Sequence, residues 1–203
     1  MINVALFGFG RIGQMHGSNL FKHPKFNLKY VYDKDEKLAK KSERMFKAKS
    51  IKNYKIALLD KSVGVIFIAS STPTHINFIR DAALYKKTIF CEKPLDLDLN
   101  KIIKCRKYIE KFSPRIQIGF NRRYDPGHYY LKKSIEQKKI GTLQKIIITC
   151  RDPAPPPLAY LKTAGGIFKD MVIHDFDLIR FYLKNDPIKE VFATTSDLSE
   201  YSK

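Results

Sequence analysis

The sequence predicts a two-domain protein that opens with a doubly wound α/β domain, residues 1–120, and continues with a second domain, residues 121–203. Short apolar runs alternate with helix-length segments through the first of these ranges. Strands separated by helices pair in parallel through right-handed crossovers. A complete Gly-x-Gly-x-x-Gly motif follows the first apolar run. The regular alternation ends near Asn121, and this change marks the predicted boundary.

Each element of the first domain has a local signal. Asn3–Phe7 and Val63–Ala69 are continuous apolar runs, which are typical of buried strands. Pro73 suits the first turn of a helix, where an N–H would have no partner. Leu38, Met45 and Phe46 would form the inner face of the second helix. The predicted strands are Asn3–Phe7, Lys29–Tyr32, Val63–Ala69, Thr88–Cys91 and Arg115–Gly119, and the predicted helices are Ile12–Phe21, Asp35–Ala48, Pro73–Tyr85 and Leu99–Phe112.

The second domain has fewer signals. Asp125-Pro126 is typical of a helix start, and this helix would continue to about Lys139. Asp152–Pro157 cannot form regular structure, because proline supplies no backbone donor, and we expect a surface or active-site loop there. The remaining predicted elements are a strand at Leu143–Thr149, a helix at Ile167–Leu183 after Gly165-Gly166, and a final strand at Glu190–Thr194.

Composition limits the class of protein. The 203 residues are 44% apolar and 29% charged, which is ordinary for a globular chain. No run approaches the ~18 apolar residues of a membrane span, so we expect no membrane partner. The three cysteines show no paired spacing and the N-terminus shows no secretory pattern, so we expect a reducing, cytoplasmic setting.

The net charge of +18 raises the question of a nucleic-acid partner. The basic residues are scattered over the whole chain and do not form one block. Scattered charge of this kind is typical of a solvated surface, so nucleic-acid binding is disfavoured.

The glycine motif is Gly8-Phe9-Gly10-Arg11-Ile12-Gly13, and its position between a strand and a helix predicts a dinucleotide site. Gly8 permits the tight turn, Gly10 lets the backbone approach a pyrophosphate, and Gly13 allows close helix packing. The helix N-terminus offers N–H groups and a partial positive charge to the phosphates. The alternative is a glycine-rich turn without a ligand.

Asp33 ends the second strand, 20 residues after Gly13. A carboxylate at this place accepts hydrogen bonds from the ribose hydroxyls and repels a 2′-phosphate, which favours NAD over NADP. The neighbouring Lys34 would weaken that discrimination.

Three further segments carry candidate catalytic groups. Lys93 follows the strand Thr88–Cys91, at an edge of the sheet where ligands bind. Paired Arg122 and Arg123 can hold a polyhydroxylated or anionic ligand. Asp170 and His174 share one face of the predicted helix, and a histidine beside a carboxylate suits general acid–base chemistry. Taken singly, these groups could equally be a surface lysine, a solvated turn and a hydrogen-bonded helical histidine. No third ligand accompanies Asp170 and His174, so no metal is predicted.

Taken together, these segments resemble the Gfo/Idh/MocA oxidoreductase family, and within it the members that oxidise inositols. The resemblance spans the whole chain and rests on Val4–Gly13 with Met15-His16, Ser71–His75, Glu92–Leu95, Gly119–Arg123, Arg151–Pro156, and Gly165–Phe168 running on through Asp170 and His174 to Asp177. It implies a Rossmann domain followed by an α+β domain with a large open sheet. Roughly a third of the usual family length is absent here, so that the α+β domain is expected to be incomplete.

The resemblance also implies roles for single residues. The catalytic positions are Lys93, Asp170 and His174; the polyol positions are Arg123, Asp152, His174 and Asp177; and the NAD positions are Gly8, Gly10, Arg11, Ile12, Gly13, Asp33, Ser71, Thr72, Pro73, His75, Glu92 and Lys93. The implied reaction is oxidation of a secondary alcohol of a cyclic polyol, most specifically myo-inositol to 2-keto-myo-inositol. His174 would act as base, Lys93 would stabilise negative charge on the oxygen, and Asp170 would orient the substrate hydroxyls or His174.

Two alternatives within the family remain open. The chain could be a non-catalytic dinucleotide-binding or regulatory fragment, which its short length favours. It could also be a dehydrogenase of another sugar or inositol isomer. Because an incomplete sheet leaves unpaired edges, a homo-oligomer is expected if the sheet is completed.

Overall fold

The strands of the described part of the chain form a parallel sheet. In the computed structural model, which describes residues 1–152, 154, 156–184 and 186–194, the strands are β1 Ile2–Phe7, β2 Phe26–Tyr32, β3 Lys49–Ile51, β4 Val63–Ile68, β5 Thr88–Cys91 and β6 Ile116–Ile118. Their order is β3-β2-β1-β4-β5-β6, with every neighbouring pair parallel. This is the doubly wound order, with its switch point between β1 and β4. The predicted α/β class with a parallel sheet is confirmed.

The elements divide between two structural units. The described helices are α1 Arg11–Lys22, α2 Glu36–Phe46, α3 Lys55–Leu59, α4 His75–Leu84, α5 Leu99–Glu110, α6 Pro126–Glu136, α7 Leu158–Ala164, α8 Ile167–Asp170 and α9 Ile173–Leu183. The first unit contains Met1–Asn121 and Cys150–Ile173, and the second contains Arg122–Thr149 and the chain from His174 onward. The domain boundary at residue 120 stays a prediction.

The core of the first unit lies on both faces of the sheet. Along β1, Ala5 and Phe7 belong to one buried cluster, whereas Val4 and Leu6 belong to another. This separation follows from the two-residue period of a strand, which sends successive side chains to opposite faces. Burial on both faces explains why β1 is apolar throughout.

Two short elements within residues 1–120 were not predicted. Both β3 and α3 are too short to show a period in the sequence. The inner face of α2 also differs from the prediction: Ala39, Ser42 and Phe46 are buried, whereas Met45 is 41% exposed. A spacing of three and four residues from Ala39 through Ser42 to Phe46 keeps these three side chains on one face of the helix, and Met45 lies outside it.

In the second unit, α6 begins where the sequence predicts. The carboxylate of Asp125 accepts hydrogen bonds from the backbone N–H groups of Gly127 and His128, at 2.9 and 3.1 Å. Pro126 occupies the first helical position. This combination of a side-chain cap and an initial proline is a strong helix start.

The two strands predicted for the second domain are not found. Within the described part of the chain, Leu143–Thr149 and Glu190–Thr194 have no strand structure. A β-strand is stable only where a neighbour accepts and donates its backbone hydrogen bonds. No sheet neighbour for either segment occurs among the described residues. The apolar pattern of these two segments was therefore not enough to predict a strand.

The helix predicted from Ile167 to Leu183 is interrupted. The backbone N–H groups of Met171 and Val172 both donate to the carbonyl of Ile167, each at 3.0 Å, and this shared acceptor breaks the regular ladder between α8 and α9. The assumption that Asp170 and His174 are four residues apart on one continuous helix is therefore wrong.

The loop that precedes α7 is irregular, as predicted, in its described residues. Asp152 is exposed there, and Pro153 and Pro155 lie outside the described residues. The described helices include none that is long and apolar enough to cross a lipid bilayer.

We predict that Gly13→Ala destabilises the protein, because a Cβ at Gly13 would lie 2.1 Å from the carbonyl oxygen of Gly8. The free energy of unfolding, measured by urea denaturation, should fall by about 3 kcal/mol. Gly10→Ala is the matched control, since no atom lies within 4 Å of its Cβ position. That variant should remain within about 1 kcal/mol of the original. Equal stability of the two variants would contradict the proposed close packing.

Candidate active site

A cavity of about 680 Å³ lies in the first unit at the carboxyl edge of the sheet. Its walls come from the glycine-rich turn, the end of β2, the loops after β4 and β5, and the segment that contains α7 and α8. Ligands of doubly wound sheets bind at this edge, beside the switch point. The lining residues that the sequence predicted are Gly8, Gly10, Arg11, Ile12, Asp33, Ser71, Thr72, Pro73, His75, Glu92, Lys93 and Asp170.

The glycine-rich turn is held tightly against its surroundings at two of its three glycines. Gly8 has a φ of +93°, and a Cβ there would lie 2.4 Å from the Cα of Ser70. Gly13 meets the carbonyl oxygen of Gly8, so α1 begins directly on the turn. Gly10 faces open space instead, which leaves the first N–H groups of α1 accessible to an anion.

Asp33 is fixed to the glycine-rich turn. Its Oδ2 accepts a hydrogen bond from the backbone N–H of Phe9 at 2.6 Å, and its Oδ1 accepts one from Asp35 at 2.9 Å. An ionised carboxylate has about four acceptor positions. Asp33 therefore retains capacity for hydroxyl donors while its orientation is set by the backbone.

His75 lies in the wall of the cavity but bonds to the protein. It is 1% exposed, with Nδ1 2.8 Å from the carbonyl oxygen of Pro94 and Nε2 2.9 Å from that of Ser70. The imidazole thus connects the loop after β4 to the segment after β5. Its predicted contact with the coenzyme stays a prediction.

Glu92 also has a partner within the protein. Its Oε1 lies 2.6 Å from Nε2 of His16 on α1, and the His16 ring packs against Phe67 and Phe90 with centroid distances of 4.8 and 5.4 Å. A Cβ at Gly119 would lie 3.0 Å from the Glu92 carboxylate. Glu92 therefore ties the loop after β5 to the helix that begins at the glycine-rich turn.

Lys93 is held by Asp170. The Lys93 ammonium donates to the backbone carbonyl oxygen of Asp170 at 2.8 Å and to its Oδ1 at 3.1 Å. These two predicted catalytic residues are 77 positions apart in the chain, and the fold brings them together at the cavity wall. The ammonium is a cation suited to an oxygen that gains negative charge.

Tyr160, on α7, completes this group of side chains and was not predicted. Its hydroxyl donates to Oδ1 of Asp170 at 2.8 Å. Burial of the phenol end and the hydrogen bond to Asp170 raise the pKa of Tyr160 to about 12. Thr163 and Ala164 of the same helix also line the cavity. The only sequence signal for α7 was Pro157, which precedes a helix-length segment.

The predicted substrate residues are in the second unit, except Asp152. Arg123 makes a two-point ion pair with Asp177, with Nε to Oδ2 at 2.7 Å and Nη2 to Oδ1 at 2.5 Å. The neighbouring Arg122 pairs with Asp175. His174 is the second residue of α9. The two arginines are thus fixed by carboxylates from α9, an arrangement that the sequence did not predict.

The fold and the cavity define a class of protein: a Rossmann domain that binds a dinucleotide at the switch point of its sheet. Comparison with protein families assigns residues 2–120 to the "Oxidoreductase family, NAD-binding Rossmann fold" and residues 128–202 to the "GFO/IDH/MocA C-terminal domain". The chain belongs to the Gfo/Idh/MocA oxidoreductase family, and its first domain is an NAD-binding domain. The resemblance predicted from the sequence is confirmed.

Relatives in this family include enzymes named for inositols. The chain is 37% identical over 198 residues to a myo-inositol 2-dehydrogenase of Thermotoga maritima, covering 97% of this chain and 59% of that protein. Among solved structures, a myo-inositol dehydrogenase of Corynebacterium glutamicum matches with a TM-score of 0.86 and 34% identity, over 91% of this chain and 56% of that one. A scyllo-inositol dehydrogenase of Lactobacillus casei, solved with NAD(H) and scyllo-inositol, matches with a TM-score of 0.79 and 27% identity, over 90% and 56%. The chain therefore spans less than two thirds of these relatives.

We predict that Asp170→Asn lowers the pKa of Tyr160 from about 12, because the negative charge that disfavours tyrosinate is removed. The pKa should stay above the ordinary value of about 10, since burial is the larger cause of the shift. Ultraviolet absorbance during a pH titration measures tyrosinate, and Tyr160→Phe identifies the signal.

The sign of the accompanying stability effect follows from the raised pKa. The protonated phenol stabilises the fold fully below pH of about 10, and this contribution is lost as the pH rises through the folded-state value. An unchanged Tyr160 signal in Asp170→Asn would show that the two side chains do not interact.

Proposed function

We propose that the protein is an NAD-dependent oxidoreductase that converts a secondary alcohol of a cyclic polyol into a ketone, most specifically myo-inositol into 2-keto-myo-inositol. The observation that carries this proposal is the Lys93 ammonium, held by Asp170 at the wall of the dinucleotide cavity. The inositol dehydrogenases among its relatives support the substrate class.

The residues of the first unit fit NAD. The cavity of about 680 Å³ is within the usual range for small-molecule sites. Open space at Gly10 would admit the pyrophosphate to the N-terminus of α1, and Asp33 would accept hydrogen bonds from the adenosine ribose. When bound, NAD supplies the acceptor for the hydride that leaves the carbinol carbon.

Lys93 would act on the alcohol oxygen. As the hydroxyl proton and the hydride leave, the oxygen gains negative charge before the carbonyl bond is complete. A fixed ammonium beside this oxygen lowers the barrier, because it need not reorganise during the reaction. Asp170 keeps the ammonium in one direction through two acceptors, its backbone carbonyl and its carboxylate.

The proton is assigned to His174. By family resemblance, its imidazole accepts the hydroxyl proton as general base, and the carbon-bound hydrogen leaves as hydride, so that the alcohol loses two hydrogens and becomes a ketone. Arg123, Asp152 and Asp177 would hold the other hydroxyls of the polyol. We also propose that the protein forms a homo-oligomer if the open sheet of its second domain is completed.

A non-catalytic dinucleotide-binding or regulatory protein is the second candidate. The glycine-rich turn and the cavity would bind NAD equally in such a protein. The ordered contact between Lys93 and Asp170 opposes it, since a protein that only senses NAD needs no such pair at the cavity. Release of NADH in the presence of a polyol separates the two candidates, and a panel of inositols and hexoses identifies the substrate.

We predict that Lys93→Ala and His174→Ala each lower NADH formation at least about 10²-fold, while NAD still binds. Turnover is followed by NADH absorbance and binding by calorimetry. Lys101→Ala, an exposed position on α5, is the control and should be unchanged. Near-normal turnover of either first variant would exclude the assigned role of that residue.

We also predict that Asp33→Ala reduces the preference for NAD over NADP. The variant loses the ribose acceptor and the charge that repels a 2′-phosphate. The dissociation constant of NADP divided by that of NAD should therefore fall by about tenfold or more. Asp35→Ala is the matched control, because Asp35 caps α2 without lining the cavity. Unchanged coenzyme selectivity would show that Asp33 does not contact the ribose.

A further inference from the structure

The helix α7 brings a phenol to the predicted catalytic pair. Tyr160 is 46% exposed as a whole, yet its hydroxyl end lies on Asp170. The helix ends at Gly165, which has a φ of +81°, and a Cβ there would lie 2.5 Å from the Leu97 side chain. Close packing of Gly165 on Leu97 therefore anchors α7 to the loop that follows Lys93.

A second contact anchors the neighbouring helix to the same loop. The ammonium of Lys169 on α8 donates to the carbonyl oxygen of Leu97 at 2.7 Å. Because α8 has only four residues, few backbone hydrogen bonds hold Asp170 at its end, among them one from its N–H to the carbonyl oxygen of Gly166 at 3.1 Å. Contacts from outside the helix add to these, of which Lys169 provides one and Tyr160 another.

One oxygen joins three residues. Oδ1 of Asp170 accepts from the Tyr160 hydroxyl at 2.8 Å and from the Lys93 ammonium at 3.1 Å. Side-chain exposure is 17% for Lys93 and 25% for Asp170, so both groups are only partly solvated. Two donors from different directions restrict rotation of the carboxylate, and the carboxylate in turn directs the ammonium.

We propose that Tyr160 is a positioning residue: its hydroxyl fixes the Asp170 carboxylate, which fixes the direction of the Lys93 ammonium. The consequence for turnover rests on the proposed function, in which Lys93 stabilises the alcohol oxygen. The consequence for how firmly the Lys93 side chain is held does not rest on the proposed function, because the three side chains interact without any ligand. The inference therefore has one test with coenzyme and polyol and one without.

The test without ligands measures the reactivity of Lys93 in the full chain. Trace labelling with acetic anhydride, read by peptide mass spectrometry, gives the acetylation rate of Lys93 relative to the exposed Lys139. Tyr160→Phe removes only the hydroxyl and should raise this relative rate about fivefold, as expected for loss of one hydrogen bond from the group. Tyr130→Phe, which removes an exposed phenol from α6, is the control and should leave the rate unchanged.

The test with ligands separates binding from turnover. Tyr160→Phe should lower kcat for polyol oxidation about tenfold and leave the dissociation constant of NAD and the KM of the polyol within about twofold. Weaker binding of either ligand, with kcat retained, would mean that Tyr160 contacts that ligand, and would overturn the positioning role. So would a Lys93 acetylation rate equal to that of the unmodified protein.

Failure of the proposed function is distinguishable from failure of this inference. If the unmodified protein binds NAD but oxidises no polyol, the proposed function is wrong, and the acetylation rates alone decide the role of Tyr160. If the unmodified protein is active and Tyr160→Phe matches it in both kcat and Lys93 reactivity, the proposed function stands and the positioning role is wrong.

Discussion

The site depends on how closely α1 approaches the turn from which it starts. The Cβ position of Gly13 lies 2.1 Å from the carbonyl oxygen of Gly8, and that of Gly8 lies 2.4 Å from the Cα of Ser70. Only glycine allows three backbone segments to meet at these distances. The contact sets the N-terminus of α1 at the carboxyl edge of the sheet, where the Cβ position of Gly10 meets open space. Any larger residue at these two positions would displace the helix, and with it the anion-binding groups of its first turn.

The segment after β5 is the second fixed part of the first unit, because three distant elements hold it. Glu92 pairs with His16 of α1, the carbonyl of Pro94 contacts His75 of α4, and Lys93 contacts Asp170 of α8. Each contact uses a polar group at a partly or fully buried place, where an unsatisfied partner would be unfavourable. A lysine on a free loop would sample many directions. Here the loop and the ammonium are both restrained, which is the condition for electrostatic stabilisation without reorganisation.

Local patterns in the sequence predicted the alternating strands and helices of the parallel sheet, the glycine motif and the cap at Asp125, since each has a signal in neighbouring residues. Several other elements that depend on distant contacts were missed or predicted wrongly. Helix α7 has no strong period, and its anchor is Leu97, far away in the chain. The interruption between α8 and α9 results from a shared carbonyl acceptor, and no residue type in this segment indicates it. His75 and Glu92 line the predicted cavity. Their hydrogen-bond partners lie elsewhere in the chain, so only the folded structure identifies them.

The pairing of charges within each unit bears on the kind of substrate. In the first unit the Lys93 ammonium is balanced by the Asp170 carboxylate, and in the second unit the Arg123 guanidinium is balanced by Asp177. Such pairs present donors and acceptors together with little net charge, which suits a neutral ligand with many hydroxyl groups. A polyanion would instead require cations that are not already neutralised. The net charge of +18 therefore says little about these sites, because Lys93 and Arg123 are each paired with a carboxylate.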